Sequence, residues 1–518
     1  MVTTSEIPAP ADAVELLLER FSSVKANAAE LLVDCHDSSS AAFVTVDDLE
    51  QRPVVVSYGE LRDRSMRLAQ LLTDMGVRRG DTVAVLMGKR VELPVALAAI
   101  LRIGAVYLPL FTAFAAPAIE SRLRAASARI VITEPSQAEK LDSIAGIETL
   151  VVGAEFDARV AAAQPLESAA SVGGGGTILL LFTSGTTGAP KGVPVPLRAL
   201  AAFACYMIYG LDVREDDVFW NAADPGWAYG LYYGILGPMA IGRPNILFNS
   251  GFSPETTVTV IRKLGVTNFA AAPTVYRALS AAPGIGGVSL RRASSAGEPL
   301  TPEIAEWAPS ALGTEVRDHY GQTELGMVIN NHWHDDLRLP AVNGSMGQPM
   351  PGFTCGIVGG QIAVDTAQSS LMWFTDYHKD ARTAGSRFTA DKRWYLTGDT
   401  GHVDAAGHFH FGGRDDDVII MAGYRIGPLD VESVLITHPD VADVAVVGQP
   451  DELRGEVVAA FVVLKAGQVG TEELSGELQQ LVKTQYAAHA YPRVVHFVDE
   501  LPRTASGKVQ RYLLKGRG

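Results

Sequence analysis

Short apolar runs alternate with helical patterns along most of the chain. DTVAVLM (81–87) reads as a strand, VELPVALAAILRIG (91–104) as a helix and AVYLPL (105–110) as the next strand. RIVIT (129–133) and TLVV (149–152) continue the rhythm. A second series follows at VFWNAAD (218–224), NILF (245–248), NFAAAP (268–273), RRASSAG (291–297) and EVRDHYG (315–321). Strands spaced by helices predict an α/β fold with parallel-rich sheets. Ligands of such sheets bind at the carboxyl ends of the strands, where the Gly, Asp and Glu residues of these segments sit. Near residue 412 the pattern changes. GGRDDD (412–417) is a charged, glycine-led break, and a compact region of about 100 residues follows it. A boundary there divides a large N-terminal domain, 1–413, from a small C-terminal α+β domain, 414–518. No tandem repeat of solenoid period is visible.

One apolar run ends abruptly. In LLLFTSGTTGAPKGV (179–193) a buried strand delivers a loop of Thr, Ser and Gly with Lys191 near its end. Backbone N–H groups and hydroxyls of such a loop can wrap a phosphate chain, and a lysine adds a point charge. Gly185, Gly188 and Gly192 permit close backbone approach. The string is not a Walker A loop, because its second Gly is not followed at once by Lys and then Ser or Thr. GGGG (173–176) reads as a flexible approach to it.

At 518 residues the chain is too long for one ordinary core. Its 47% hydrophobic and 19% charged residues make a globular balance. A net charge of −15 gives no case for nucleic-acid binding, and a polyanionic ligand would need a local cluster of cations and a metal ion. Cys35, Cys205 and Cys355 are odd in number and far apart, so buried free thiols are expected rather than disulfides or a zinc site. The first twenty residues lack a basic stretch followed by an apolar core, as a secretory signal would have. Residues 91–111 contain Glu92, Arg102 and a Gly break, which argues against a membrane span. A cytoplasmic location is the expectation.

Further segments carry candidate chemistry. SSAGEPL (294–300) ends a strand with Gly297-Glu298-Pro299, ordinary turn material when taken alone. In DHYGQTELGM (318–327), Tyr320 could stack on a purine and Glu324 could hold Mg²⁺, which favours oxygen ligands and phosphate company. YLTGDTG (395–401) places Asp399 in a turn after a short strand, where its carboxylate could accept hydrogen bonds from two ribose hydroxyls. GGRDDDVIIMAGYRIGPLDVES (412–433) carries Arg414, three aspartates and Arg425. PRTASGKVQR (502–511) sets Lys508 in a Ser-Gly turn.

Together, in this order and approximate spacing, these segments resemble the adenylate-forming superfamily: acyl-CoA synthetases, adenylation domains and luciferases. DPGWAYGLYYGILGPMAIG (224–242) is similar to the short- and medium-chain acyl-CoA synthetase branch. The resemblance spans most of the chain. It implies a large N-terminal domain and a small mobile C-terminal domain with ATP between them. By motif, Thr183, Ser184, Gly185, Thr186, Thr187, Gly188 and Lys191 would form the phosphate loop. Gly297, Glu298, Pro299, Asp318, His319 and Tyr320 would line the adenine site, and Gln322 and Thr323 would contact the nucleotide. Glu324, with Thr186, would bind Mg²⁺. Asp399 and Arg414 would hold the ribose, Arg425 would reach the phosphates, and Lys508 matches the catalytic lysine. Asp416 aligns with the hinge and Gly423 with the glycine that lets the pantetheine pass.

The implied reaction is ATP-dependent activation of a carboxylic acid to acyl-AMP, then transfer to the thiol of coenzyme A. Loading of a carrier-protein thiol is the alternative, and a nucleotide-binding protein without catalysis is a third reading that Lys508, Glu324 and Arg425 argue against. Acetate-specific relatives carry Trp where this chain has Gly321, which implies an acid larger than acetate, with Trp227, Tyr232 and Val275 as neighbours in the acyl pocket. Pro502 followed by Gly507-Lys508 resembles the lysine-acetylation site of acyl-CoA synthetases, so an acetyltransferase and deacetylase acting at Lys508 are implied partners. A homodimer is compatible with the chain, although no self-association surface is legible in it. The stretch between PMPGF and YLTGD is shorter than is usual in the family, as if a surface hairpin were trimmed.

Overall fold

The computed structural model describes residues 9–183, 190–380, 385–421, 424–451, 455–487, 490–503 and 509–516; of Asp416, Ile420, Tyr424, Arg425 and Gly455 it describes the backbone alone. The chain forms two compact units, one of residues 1–355 and 364–393, the other of 356–363 and 394–518.

Two sheets organise the first unit. One runs, in spatial order, Glu148–Val151, Ile130–Thr133, Thr82–Leu86, Val106–Pro109, Thr177–Thr183 and Lys191–Pro196, all parallel except the last. Its inner strands are near-continuous apolar runs because helices cover both faces. The helix Glu92–Ile103 shows the consequence: all but its first residue is buried, and Gly104 ends it in the left-handed region at φ +76°. The one cation in that buried helix, Arg102, donates to both oxygens of Asp34 at 2.7 and 2.8 Å.

The second sheet has parallel strands Val316–Gln322, Arg292–Ala296, Asn268–Ala271, Phe219–Asn221, Asn245–Phe248 and Ala41–Val46. Antiparallel strands flank it, Val54–Ser57 at one end and Gly326–Asn330 with Ser345–Pro349 at the other. A core of Phe269, Tyr276, Val260, Ile304 and Leu312 packs beneath it. Every strand expected from the apolar runs is present, within one or two residues at each end except that VFWNAAD (218–224) stops three residues early, at Asn221.

The glycine run 173–176 is not a flexible approach. Gly173 N donates to Ala26 O, Gly174 N to Ser23 O and Gly176 N to Gly173 O, at 2.9 to 3.0 Å. A Cβ at Gly174 would stand 2.5 Å from Ser22 Cα, and one at Gly173 would stand 2.9 Å from Val24 O. The glycines are there because two stretches of backbone touch. Among the cysteines, Cys205 is buried as expected, but Cys35 lies at the surface; all three are free. Cys35 follows a short π-helical turn, Glu30–Asp34, and its Sγ accepts from the half-buried Arg20 guanidinium at 3.3 Å.

In the second unit, Trp394–Val403 and Phe409–Arg414 form an antiparallel hairpin. A further sheet follows, in the order Tyr424–Ile426, Ile419–Met421, Gly455–Leu464, Val441–Asp451, with Val494–Phe497 parallel to Gly455–Leu464. Alternate residues face opposite ways. Val444 and Val446 join the core under the helices Pro428–Leu435 and Glu472–Gln485, while Ala445 and Val447 meet Leu501 and Leu514 on the other side. This is the expected α+β arrangement. The units group 356–363 and 394–413 with the C-terminal residues, because strand pairing does not respect the charged break at 412–417, which instead forms the 3-10 turn Asp415–Asp417. No helix among the described residues is long and apolar enough to cross a membrane.

Candidate active site

In the first unit the candidate residues gather at the carboxyl ends of Arg292–Ala296 and Val316–Gln322. These strands pair in parallel, with Ser295 opposite Asp318 and Ala296 opposite His319. Gly297 then turns at φ +101°, a conformation that favours glycine, and releases Glu298. The Glu298 Oε2 accepts from Arg277 at 2.8 Å, and its buried Oε1 has no partner among the described residues. Asp318 accepts from the backbone N–H of Leu300 and of His319, both at 3.2 Å. Enclosure on most sides outweighs those bonds and pushes its carboxyl up to about 8. His319 is buried with a pKa driven down to about 3 by desolvation, so its imidazole is neutral. Its Nδ1 lies 2.6 Å from Tyr206 Oη and its Nε2 3.1 Å from Asn331 O. Tyr320 is buried on the strand, Pro299 is exposed and Gln322 is half-buried.

Beyond Gln322 the chain reverses into Gly326–Asn330, and the turn carries Thr323 and Glu324. Glu324 is buried. Its Oε1 accepts from the Tyr377 hydroxyl at 2.7 Å, and its other oxygen accepts no hydrogen bond from the described residues. Burial, then the charge of Glu324, raises the Tyr377 phenol above its usual range. Lys191 Nζ stands 5.6 Å from the centre of the same Tyr377 ring. Lys191 pairs with Thr183 across the antiparallel strands that frame the expected phosphate loop, and Thr183 Oγ1 donates to Lys191 O at 3.4 Å. Ser184, Gly185, Thr186, Thr187 and Gly188 lie outside the described residues. The fold thus brings Lys191 and Glu324 to one aromatic ring. Tyr377, in FTDYHKD, carries no motif spacing, and sequence reasoning missed it for that reason. Among the described residues no group of three His, Cys, Asp or Glu side chains could hold a metal by itself. A single buried carboxylate with a spare oxygen fits Mg²⁺, which usually takes one or two carboxylates with substrate phosphates and water.

The acyl-pocket candidates divide. Trp227 is half-buried against Phe111 and Phe114, ring centres 5.1 and 6.1 Å away. Val275 packs, half-buried, on the core. Tyr232 does not face open space: it stacks on Phe203 at 4.2 Å and its hydroxyl donates to Thr323 O at 3.0 Å. It is the first residue of the π-helical turn Tyr232–Leu236 and, through that bond to Thr323, braces the turn that carries Glu324. Gly321 has a second reason to be glycine. A Cβ there would stand 2.1 Å from Gly326 O and 2.7 Å from Met327 Cα, because the hairpin bulges between Tyr320 and Gly321.

In the second unit, Asp399 is not in a turn. It lies inside Trp394–Val403, opposite Arg414 on the neighbouring strand, and Arg414 donates to its Oδ1 at 2.9 Å. Gly398, at φ +75°, reads as a turn signal, but it lies inside the strand and its N–H donates to Gln361 Oε1 at 3.1 Å. The Arg425 backbone pairs with Ile420, and Asp416 sits in the 3-10 turn; neither side chain is described. Gly423 and Lys508 lie outside the described residues. The flanks of Lys508 are anchored: Arg503 bridges Val509 and pairs with Asp443, Gln510 N donates to Pro502 O at 2.8 Å, and Arg511 donates to both oxygens of Glu432 at 2.8 Å.

Residues 37–363 match the family model described as AMP-binding enzyme, and residues 430–508 match that of the AMP-binding enzyme C-terminal domain. The chain is 34% identical to the acetyl-coenzyme A synthetase of Bacillus subtilis (strain 168), over 95% of this chain and 90% of that one. It is similar to the crystal structure of a Brucella canis acyl-CoA synthetase, with 41% identity, TM-score 0.75 and coverage of 98% and 97%. It is also similar to a benzoate CoA ligase from Burkholderia xenovorans LB400, with 29% identity, TM-score 0.82 and coverage of 95% and 100%.

Proposed function

Since the chain belongs to the AMP-binding enzyme family, we propose that its site residues divide the two half-reactions of an acid–thiol ligase as set out below. The enzyme uses ATP to convert a carboxylic acid to acyl-AMP, releasing pyrophosphate. It then passes the acyl group to coenzyme A, releasing AMP. Transfer to a carrier-protein thiol is not favoured.

The first half-reaction forces a carboxylate against the α-phosphate of ATP, and cations aimed at the developing charge are the remedy. Lys191 and the 184–188 segment would hold the phosphates from the first unit. Mg²⁺ held by Glu324 with Thr186 would neutralise phosphate charge. Glu298, Asp318 and Tyr320 would bind the base, with Gly297, Pro299, His319, Gln322 and Thr323 shaping that wall. From the second unit, Asp399 and Arg414 would bind the ribose, Arg425 the phosphates, and Lys508 would supply the ammonium for acyl-AMP formation alone. Residues 414–518 would turn at Asp416 for thioester formation and present Gly423 to the pantetheine. Acetylation of Lys508 would remove that charge, and a cytoplasmic location belongs to the same proposal.

The acid is larger than acetate, with Gly321 and Trp227 on the walls of its pocket. The observation that carries the assignment is the convergence of Lys191 and the buried Glu324 carboxylate on Tyr377. The test is AMP formation by the pure protein with Mg²⁺-ATP and acids from acetate to octanoate plus aromatic acids, with and without coenzyme A. CoA-dependent AMP with acids longer than acetate is expected. Acetate as the best substrate would overturn the size assignment, and exchange of pyrophosphate without CoA-stimulated AMP release would overturn the acceptor.

A further inference from the structure

Tyr229, Tyr206 and His319 form a chain of side-chain hydrogen bonds that no motif announces. Tyr229 Oη is 3.2 Å from Tyr206 Oη, which is 2.6 Å from His319 Nδ1, and His319 Nε2 is 3.1 Å from the Asn331 carbonyl. The chain joins two segments that carry acyl-pocket residues. Tyr229 belongs to the short helix Ala228–Leu231 directly after Trp227, and His319 lies two residues before Gly321 on Val316–Gln322.

The direction of every proton follows from the far end. A carbonyl oxygen only accepts, so His319 Nε2 carries the hydrogen. The ring is buried and neutral, so Nδ1 is the acceptor and Tyr206 donates to it. With its hydrogen spent, the Tyr206 oxygen can only accept, and Tyr229 donates to it. Tyr229 is then left with lone pairs and no hydrogen to offer. Tyr206 is 0% and His319 2% exposed, whereas Tyr229 is half-buried, so Tyr229 is the most accessible member of the three.

We propose that Tyr229 is a specificity-determining residue that presents a hydrogen-bond acceptor to the acyl group, selecting hydroxy- or amino-substituted carboxylic acids over their unsubstituted analogues. The inference rests on the acyl-pocket reading of Trp227 and Gly321. A polar wall whose acceptor finds no donor on the substrate pays a desolvation penalty, which is why sites built to bind an O–H or N–H reject analogues lacking it far better than apolar pockets reject a methylene.

The experiment compares kcat/KM for CoA-dependent AMP formation within matched pairs: butyrate with 3-hydroxybutyrate, and benzoate with 2-hydroxybenzoate and 2-aminobenzoate. Wild type should prefer the substituted member of at least one pair by roughly tenfold or more. Tyr229→Phe should bring that ratio close to one. Tyr206→Phe frees the Tyr229 hydrogen to donate, so it should raise the ratio of 3-oxobutyrate to 3-hydroxybutyrate. A wild-type ratio near one in every pair, or a ratio that Tyr229→Phe leaves unchanged, overturns the inference while turnover of the plain acids upholds the proposed function. Turnover of no acid in any pair overturns both.

Discussion

Gly321→Ala separates two explanations of the same glycine. If Gly321 only empties the acyl pocket, one methyl group should trim the largest acids and spare the small ones. The backbone says otherwise. The added Cβ would stand 2.1 Å from Gly326 O and 2.7 Å from Met327 Cα, and neither atom is the end of a flexible side chain. The hairpin must open by about 1 Å to reach ordinary contact, a small-to-large strain of about 1–3 kcal/mol. The turn of that hairpin carries Glu324, and a misplacement of about 1 Å costs on the order of 10²-fold in a reaction that depends on positioning. Gly321→Ala should therefore lower the melting temperature and reduce pyrophosphate exchange by roughly 10- to 100-fold with every acid alike. The assay is exchange with a series of acids, beside a thermal melt. An unchanged melt together with selective loss of the longest acids would refute the backbone argument and return Gly321 to pocket size alone. The same strain bears on Gly321→Trp, whose expected shift toward acetate or propionate would come with a general loss.

Lys508→Ala should reduce acyl-AMP formation by about 10²–10³-fold or more, the scale of one lost electrostatic donor, yet leave thiolysis of supplied acyl-AMP largely intact; equal loss of both steps would reject that division. Asp318 holds its proton up to about pH 8 in the folded state but ionises near its ordinary value when unfolded, so the stability it contributes is complete in acid and lost as pH rises from about 4 to about 8. Asp318→Asn stays neutral, and its melting temperature relative to wild type should climb across that window; a difference independent of pH would sink the argument. Arg511→Met strands the buried Glu432 and should cost about 3–5 kcal/mol in the second unit, with Glu432→Gln added to it recovering part; chemical denaturation measures both, and additive losses would show that the two do not act as a pair.

Strand positions were legible because fully buried parallel strands are unbroken apolar runs: NILF at 245–248 is both the run and the strand. Motif order gave the site residues their grouping, since Glu298 and Asp318 end neighbouring strands. What the sequence hid was context. YLTGDTG looks like a turn at Asp399, but pairing of Asp399–Val403 with the strand Phe409–Arg414 overrides it. The run at 173–176 looks loose, but tertiary contact with residues 22–26 is what it serves. The resemblance put Tyr232 among the pocket neighbours, yet it is buried, stacked on Phe203 and bonded to Thr323 O. Tyr206, Tyr229 and Tyr377 act through partners at distances in sequence from 23 to 113 residues, and no local pattern encodes such pairs.

The hairpin at 316–330 bears on how this enzyme could be given a new substrate. Within residues 318–324 it holds the Asp318 carboxyl, the His319 imidazole, Gly321 and the Glu324 carboxylate, the residues proposed above for the nucleotide, the acyl pocket and Mg²⁺. On that assignment, a change made there to admit a different acid would disturb the grip on the nucleotide at the same stroke. The Ala228–Leu231 helix, which follows Trp227 directly, carries none of the residues proposed for the nucleotide. Substrate range should diversify from the helix side, by exchange of residues 227–229, while the hairpin stays as a fixed chassis.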